Sequence, residues 1–308
     1  MYRRLGNSGL LVSNPILGGL HFGDPKWYQH MGHCQYVHEW RIGENYWKAL
    51  RAHKIPRSKV IIMTKCGRAV TDPSTDENIG TVTGFWPDLL SRSKDYVNHF
   101  GLSRASIFQQ VQASLERLNT DYIDVLHIHR FDHNVLPEET MKALHDLVLM
   151  NKVRYLGASS MWAHEFAILQ HTAENNWTKF VSMQNHYNLC YREEEREMNK
   201  YCNLTGVGLI PWAPLASGKL ARSPDQKSSS CRSANSTLYK DHNPTQSDEI
   251  ARRVYEVANS RGIPMAQVAL AWLNKRVVSP IIGISSVERM DEALGARDIQ
   301  LSEEETSF

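Results

Sequence analysis

Seven short apolar runs, separated by stretches of helical periodicity, limit what this chain can fold into more than any other feature. They are "NPILGG" (14–19), "KVIIMT" (59–64), "YIDVLHI" (122–128), "VRYLGA" (153–158), "KFVSMQ" (179–184), "VGLIPW" (207–212) and "VSPIIG" (278–283). Each is rich in Val, Ile and Leu and bounded by polar or turn residues, the pattern of a strand buried on both faces. Two intervening stretches read plainly as helices. In 103–118, Ile107, Val111, Leu115 and Leu118 recur at helical spacing behind a Ser103 cap. In 247–261, Ile250, Val254, Val257 and Ala258 do so between Ser247 and Gly262. Strand and helix alternating over this length predict an α/β fold with a parallel sheet, and seven such strands suggest a (β/α)8 TIM barrel. "GNSG" at 6–9 predicts a hairpin plugging the barrel's bottom.

With 308 residues, 42% of them hydrophobic, residues 1–308 read as one barrel domain with no internal repeat beyond the alternation itself. The polar stretch 221–247 reads as a long surface loop, either solvated or a cofactor clasp over the top face. A net charge of +2 gives no broad electrostatic reason to expect nucleic acid or an acidic membrane surface. No apolar run approaches the eighteen or so residues of a membrane span. The start, "MYRRLGNSGLLVSN", lacks the apolar centre of a signal peptide. Five cysteines without a CxxC pair fit a reducing cytosol better than a disulfide scaffold.

Polar or reactive residues close nearly every apolar run. Lys65 ends "VIIMTK", His127 and His129 end "DVLHIH", and Ser159 and Ser160 end "YLGASS". Gln184 and Asn185 end "VSMQN", Trp212 ends "LIPW", and Ser285 and Ser286 follow "PIIGI". In a barrel these positions face one mouth, where the active sites of that fold lie.

The stretches "YRRLGNSGLLVSNPILGGLHFGDPKW", "IPRSKVIIMTKCG", "LERLNTDYIDVLHIHRFD", "VRYLGASSMWAHEF", "FVSMQNHYNLCYREEEREM", "IPWAPLASGKLAR" and "PIIGISSVERMDEAL" together resemble the aldo-keto reductase superfamily, in its fungal and potassium-channel-β-like branch. The resemblance implies hydride transfer from NADPH to an aldehyde or ketone of a small molecule, with NADP(H) held without a Rossmann fold. No GxGxxG follows any strand, in agreement. The family's tetrad is Asp, Tyr, Lys and His: the Tyr protonates the carbonyl oxygen, the Lys cation lowers its pKa, the Asp holds the Lys, and the His orients the carbonyl. Lys65 matches the Lys and His129 the His, with His127 as the alternative on the same strand face. Ser159, Gln184 and Asn185 match groups that bind the carboxamide, and Trp212 matches the ring stacked on nicotinamide. Leu215, Ser217 and Gly218 match the pyrophosphate path. Ser285 and Arg289 match the 2′-phosphate pocket, where an Arg favours NADPH over NADH. Glu292 matches an adenine contact, although Ala293 stands where the family prefers Asn.

The stretch "YQHMGHCQYVHEWRIGE" (28–44) departs from that pattern. The family's Asp and Tyr belong to a segment resembling "WDTAxxYxxGxSE", and residues 24–58 are too few for the helix, strand and helix that a barrel needs there. Met31–Glu44 can be encoded so that the same nucleotides, read one base later, give WDTANTYTNGESE. Residues 27–46 therefore read as an aberrant segment: a βα unit is largely deleted and the catalytic stretch is in a shifted frame. Gly32 and Val37 then stand where Asp and Tyr belong. Two other readings are a zinc site from His30, Cys34 and His38 and an NADPH-binding regulatory subunit without turnover. "LSEEETSF" stops where the family continues through a substrate-facing tail.

Overall fold

The computed structural model describes residues 2–19, 47–68, 97–174, 176–223, 243–284 and 286–307. The aberrant segment 27–46, with His30, Cys34 and His38, lies outside the described residues, as do Ser285 and residues 224–242 of the polar loop. The chain divides into two compact units, Phe22–Ser182 and the paired segments Met1–His21 and Met183–Phe308.

In the unit Phe22–Ser182, β4 (Met63–Cys66), β5 (Ile123–Ile128) and β6 (Val153–Ser159) run parallel, with Lys65 opposite His127 and His127 opposite Gly157. Every residue of β5 is buried, as its unbroken apolar run requires. Its one carboxylate, Asp124, accepts from Arg57 (2.6 Å), from the Ile62 N–H (2.9 Å) and from Arg154 (3.4 Å), which offsets its desolvation. Arg57 also donates to Thr120 Oγ1 and to the carbonyls of Val60 and Tyr122. These ties hold Arg57–Lys59 in a 3₁₀ turn, so β4 begins at Met63, later than the run 59–64 suggests.

The crossovers are helical. Helix α1 (Arg104–Leu118) starts at Ser103, whose hydroxyl accepts from the Ser106 N–H, and ends at Asn119 in the left-handed region. It buries Ile107, Val111 and Leu115, each stabilising by roughly 1.5–3 kcal/mol. Helix α2 (Pro137–Leu149) opens with Pro137 and the acidic pair Glu138 and Glu139, which favour a helix N-terminus. Helix α3 (Ala163–Thr172) leads to β7 (Phe180–Gln184), which crosses from this unit into the other.

In the other unit, β1 (Tyr2–Arg4) and β2 (Leu11–Ser13) form the expected antiparallel hairpin. Asn7 N–H donates to the Gly206 carbonyl (2.8 Å) and Arg3 Nη1 to the Asn274 carbonyl (2.8 Å). The hairpin thus sits where the chain enters β8 (Gly208–Leu209) and β9 (Ile281–Gly283). Gly206 closes α4 (Met198–Thr205) at φ 74°, a left-handed conformation that favours glycine, and a Cβ there would stand 1.9 Å from Asn7 Nδ2 and displace that side chain. β3 (Ile16–Gly18) pairs with β9 in parallel. Helix α5 spans Pro244–Arg261, starting earlier than the apolar period suggests, because Pro244 presets the first turn and the Asn243 side chain caps it. Helix α6 (Met265–Asn274) is buried along nearly its whole length. Helix α7 (Val287–Gly295) follows β9 and lays Ala293 on a cluster with Leu270, Ile282 and Ile284. Helix α8 (Glu303–Thr306) is held by Arg261 on the Glu305 carboxylate (2.5 Å). No helix among the described residues is long and apolar enough to cross a membrane.

Candidate active site

In the unit Phe22–Ser182, Lys65 stands on β4 beside the end of β5. His127 is fully buried, lies across the Cα of Gly157, and its Nε2 is 3.0 Å from Ser182 Oγ. Burial first, and the Lys65 cation second, push its pKa down to about 3, so it is a neutral core group already spoken for by Ser182. His129 follows β5 directly, its N–H donating to the Cys66 carbonyl (2.9 Å). Burial, then Lys65, Arg68 and Arg130, hold its imidazole well below the ordinary histidine range. A neutral ring beside a lysine can hydrogen-bond a carbonyl oxygen without competing with the lysine's charge. Ser159, buried, closes β6, and the next residue, Ser160, takes φ 30°, a strained backbone of the kind that gathers at functional sites.

In the other unit, Gln184 ends β7 and is buried together with Asn185. Asn185 Nδ2 donates to Asn199 Oδ1 (2.9 Å), while Asn185 Oδ1 is buried without a hydrogen-bond partner among the described residues. Trp212 N–H donates to the Asn185 carbonyl (2.9 Å), tying the two loops together. Beyond Trp212, Leu215 packs on the Leu270–Ile282 cluster. Ala216, Ser217 and Gly218 then take φ of 47°, 56° and 97°, three left-handed residues in succession. Ser286 caps α7, placing Arg289 in its exposed first turn and half-buried Glu292 one turn on. A basic side chain opposes the helix dipole at that end, whereas an anion there is favoured by it.

The sequence profile of the Aldo/keto reductase family matches residues 42–307. The chain belongs to that family. This aldo-keto reductase is 70% identical to "Aldo-keto reductase AMT2" of Alternaria alternata, covering 99% of this chain and 89% of the relative. It is 67% identical to "Aldo-keto reductase AFTS1" of the same species, over 100% and 90%. It is 41% identical to "Versiconal hemiacetal acetate reductase" of Aspergillus parasiticus, over 100% and 95%.

A nicotinamide dinucleotide suits the residues this reductase presents. The Asn185 oxygen, unpaired among the described residues, suits an amide N–H donor such as a carboxamide, since a buried acceptor left unpaired costs about 1–3 kcal/mol. The left-handed run at 216–218 and the Arg289 cation at the head of α7 suit phosphate groups. Among the described residues no three His, Cys, Asp or Glu side chains gather as a metal site. His186, Asn188 and Tyr191, which gather beside Trp212, lie outside the strand-end pattern. Their one signal in the sequence is that "HYNLCY" follows Gln184 and Asn185 without a break.

Proposed function

We propose that this aldo-keto reductase is an NADP(H)-dependent oxidoreductase of the cytosol that acts on an aldehyde or ketone of a small molecule, within fungal secondary metabolism. On this reading residues 1–308 are one aldo-keto reductase domain whose barrel lacks most of one βα unit. The observation that carries the reading is a neutral His129 beside the Lys65 cation at adjoining strand ends. His129 orients the carbonyl oxygen by hydrogen bonding, and Lys65 supplies the positive field that a proton donor needs to ionise near neutral pH. Ser159, Gln184 and Asn185 bind the carboxamide, and Trp212 seats the nicotinamide ring. Leu215, Ser217 and Gly218 follow the pyrophosphate, Ser285 and Arg289 take the 2′-phosphate, and Glu292 meets the adenosine end. NADP(H), when bound, supplies the hydride.

The general acid and the Asp that holds Lys65 belong to the stretch 31–43, where Gly32 and Val37 now stand. Two observations support a shortened and divergent amino-terminal segment, as the frame-shift reading and an incomplete barrel require. The alignment with AMT2 runs over 328 positions against the 308 residues of this chain, so at least twenty of its positions face no residue here. The family profile begins its match at residue 42.

The test is to read the messenger sequence across codons 23–50, then compare the chain as written with one carrying the restored segment. Both are expected to bind NADPH, and the restored chain to reduce carbonyls about 10²–10⁴ times faster, the usual worth of a general acid. Equal rates in the two would remove the frame-shift reading. NADPH binding by neither would remove the cofactor reading. NADPH binding without turnover, from a message that supports the chain as written, is the signature of a regulatory subunit, which the Gly32 and Val37 positions favour.

A further inference from the structure

Three aromatic rings lie in one column beside the proposed nicotinamide seat. The His186 imidazole is 4.3 Å from the Trp212 ring, centroid to centroid, and inclined to it by 14°. It is 4.1 Å from the Tyr191 ring and inclined by 11°. Two rings each nearly parallel to the imidazole at that spacing cannot share one of its faces, so His186 lies between them. The column is held at its edge by one amide. Asn188 is fully buried, and Oδ1 accepts from the Cys190 and Tyr191 N–H groups (2.9 Å each). Its Nδ2 donates to His186 Nε2 (3.2 Å) and to the Ala213 carbonyl (2.9 Å). Two donors and two acceptor sites are the whole capacity of an asparagine side chain, and all four are used. Because the amide nitrogen only donates, His186 Nε2 accepts, and the ring carries its proton on Nδ1.

Ala213, which receives the fourth bond, is the residue after Trp212 and is held at φ 55°, outside the range an alanine prefers. The backbone on one side of the indole is thus pinned by Asn188, and on the other by the Asn185 carbonyl that takes the Trp212 N–H. One face of the indole is stacked on His186. Satisfying Asn188 is what burial requires of any amide, but the column it anchors is only half-buried, and a ligand-bearing platform gains from having its ring ordered before the ligand arrives.

We propose that His186, backed by Tyr191 and anchored by Asn188, is a positioning residue that fixes the plane of Trp212 for the nicotinamide of NADP(H). The inference rests on the reading of Trp212 as the nicotinamide seat, and the experiment separates the two. NADPH and adenosine 2′,5′-bisphosphate, which lacks the nicotinamide half, are titrated into the full chain and into His186→Ala, His186→Phe and Trp212→Ala. Loss of one stacked aromatic contact is expected to weaken NADPH about 2- to 10-fold in His186→Ala. The bisphosphate should stay within about twofold of the parent. His186→Phe keeps a ring in the column and is expected to recover most of the NADPH affinity.

An unchanged NADPH affinity in His186→Ala, with Trp212→Ala weakened, overturns the positioning role and leaves the seat intact. Equal loss for NADPH and the bisphosphate in His186→Ala also overturns it, because general damage to the fold does not discriminate between them. NADPH affinity unchanged in Trp212→Ala overturns the seat and the proposal with it.

Discussion

Gly157 shows how narrowly the interior of the first unit is cut. A Cβ there would stand 2.3 Å from His127 Cδ2 and 2.7 Å from Ser182 Oγ, closer than real side chains approach. Gly157→Ala is therefore expected to destabilise by at least about 1–3 kcal/mol, the usual cost of overpacking. The loss should shrink in a His127→Ala background, because the clashing ring is then gone. Urea midpoints of the two single variants and the double variant measure this, and strictly additive losses would sink the explanation. Nothing in "VRYLGA" hints at the clash, since the ring that fills the space comes from a different strand. The residue types at the strand ends, by contrast, were legible without coordinates. Strand periodicity puts His127 and His129 on the same face, and only the resemblance to the family preferred His129. The Ser182 hydroxyl and the depth of burial distinguish their surroundings.

At the scale of elements, a strand overlaps each of the seven apolar runs, and Ile107, Val111 and Leu115 of the α1 stripe are buried while Leu118 is half-buried. Boundaries fared worse where a side chain or a proline intervened. The Arg57 ties delay β4, and Pro244 with the Asn243 cap advances the start of α5. Caps carry measurable stability. Ser103→Ala is expected to cost about 0.5–2 kcal/mol by leaving the Ser106 N–H without its side-chain acceptor. Hydrogen exchange should quicken in the first turn of α1 while its last turn, closed by Asn119, keeps its protection. An unaltered denaturation midpoint together with unaltered exchange would show that the hydroxyl does not act as a cap.

For the whole molecule, two histidines held neutral by burial tie stability to acidity. Their folded pKa values lie below the unfolded value of about 6.5. Above that pH both states carry neutral rings and the linkage vanishes. Below it the unfolded chain takes up protons that the folded chain refuses, so the unfolding free energy falls with falling pH, and for His127 the fall continues to about pH 3. The slope reaches up to about 1.4 kcal/mol per pH unit for each ring. Urea midpoints between pH 7.5 and 5 are expected to decline, and His127→Phe should remove about one proton's worth of that slope; an identical slope in the variant would contradict the assignment. Chain order adds a separate demand, one of timing. Arg3 is bonded to a carbonyl 271 residues further along. A ribosome adding about 5–20 residues per second needs roughly 14–54 s to deliver that partner. The amino-terminal hairpin emerges first and waits the longest for its seat, with Leu5 and Val12, which finish buried, open to the surroundings. Throughout that interval the nascent chain depends on shelter by a chaperone, or on the self-sufficiency of a two-stranded hairpin that is marginal by itself in water.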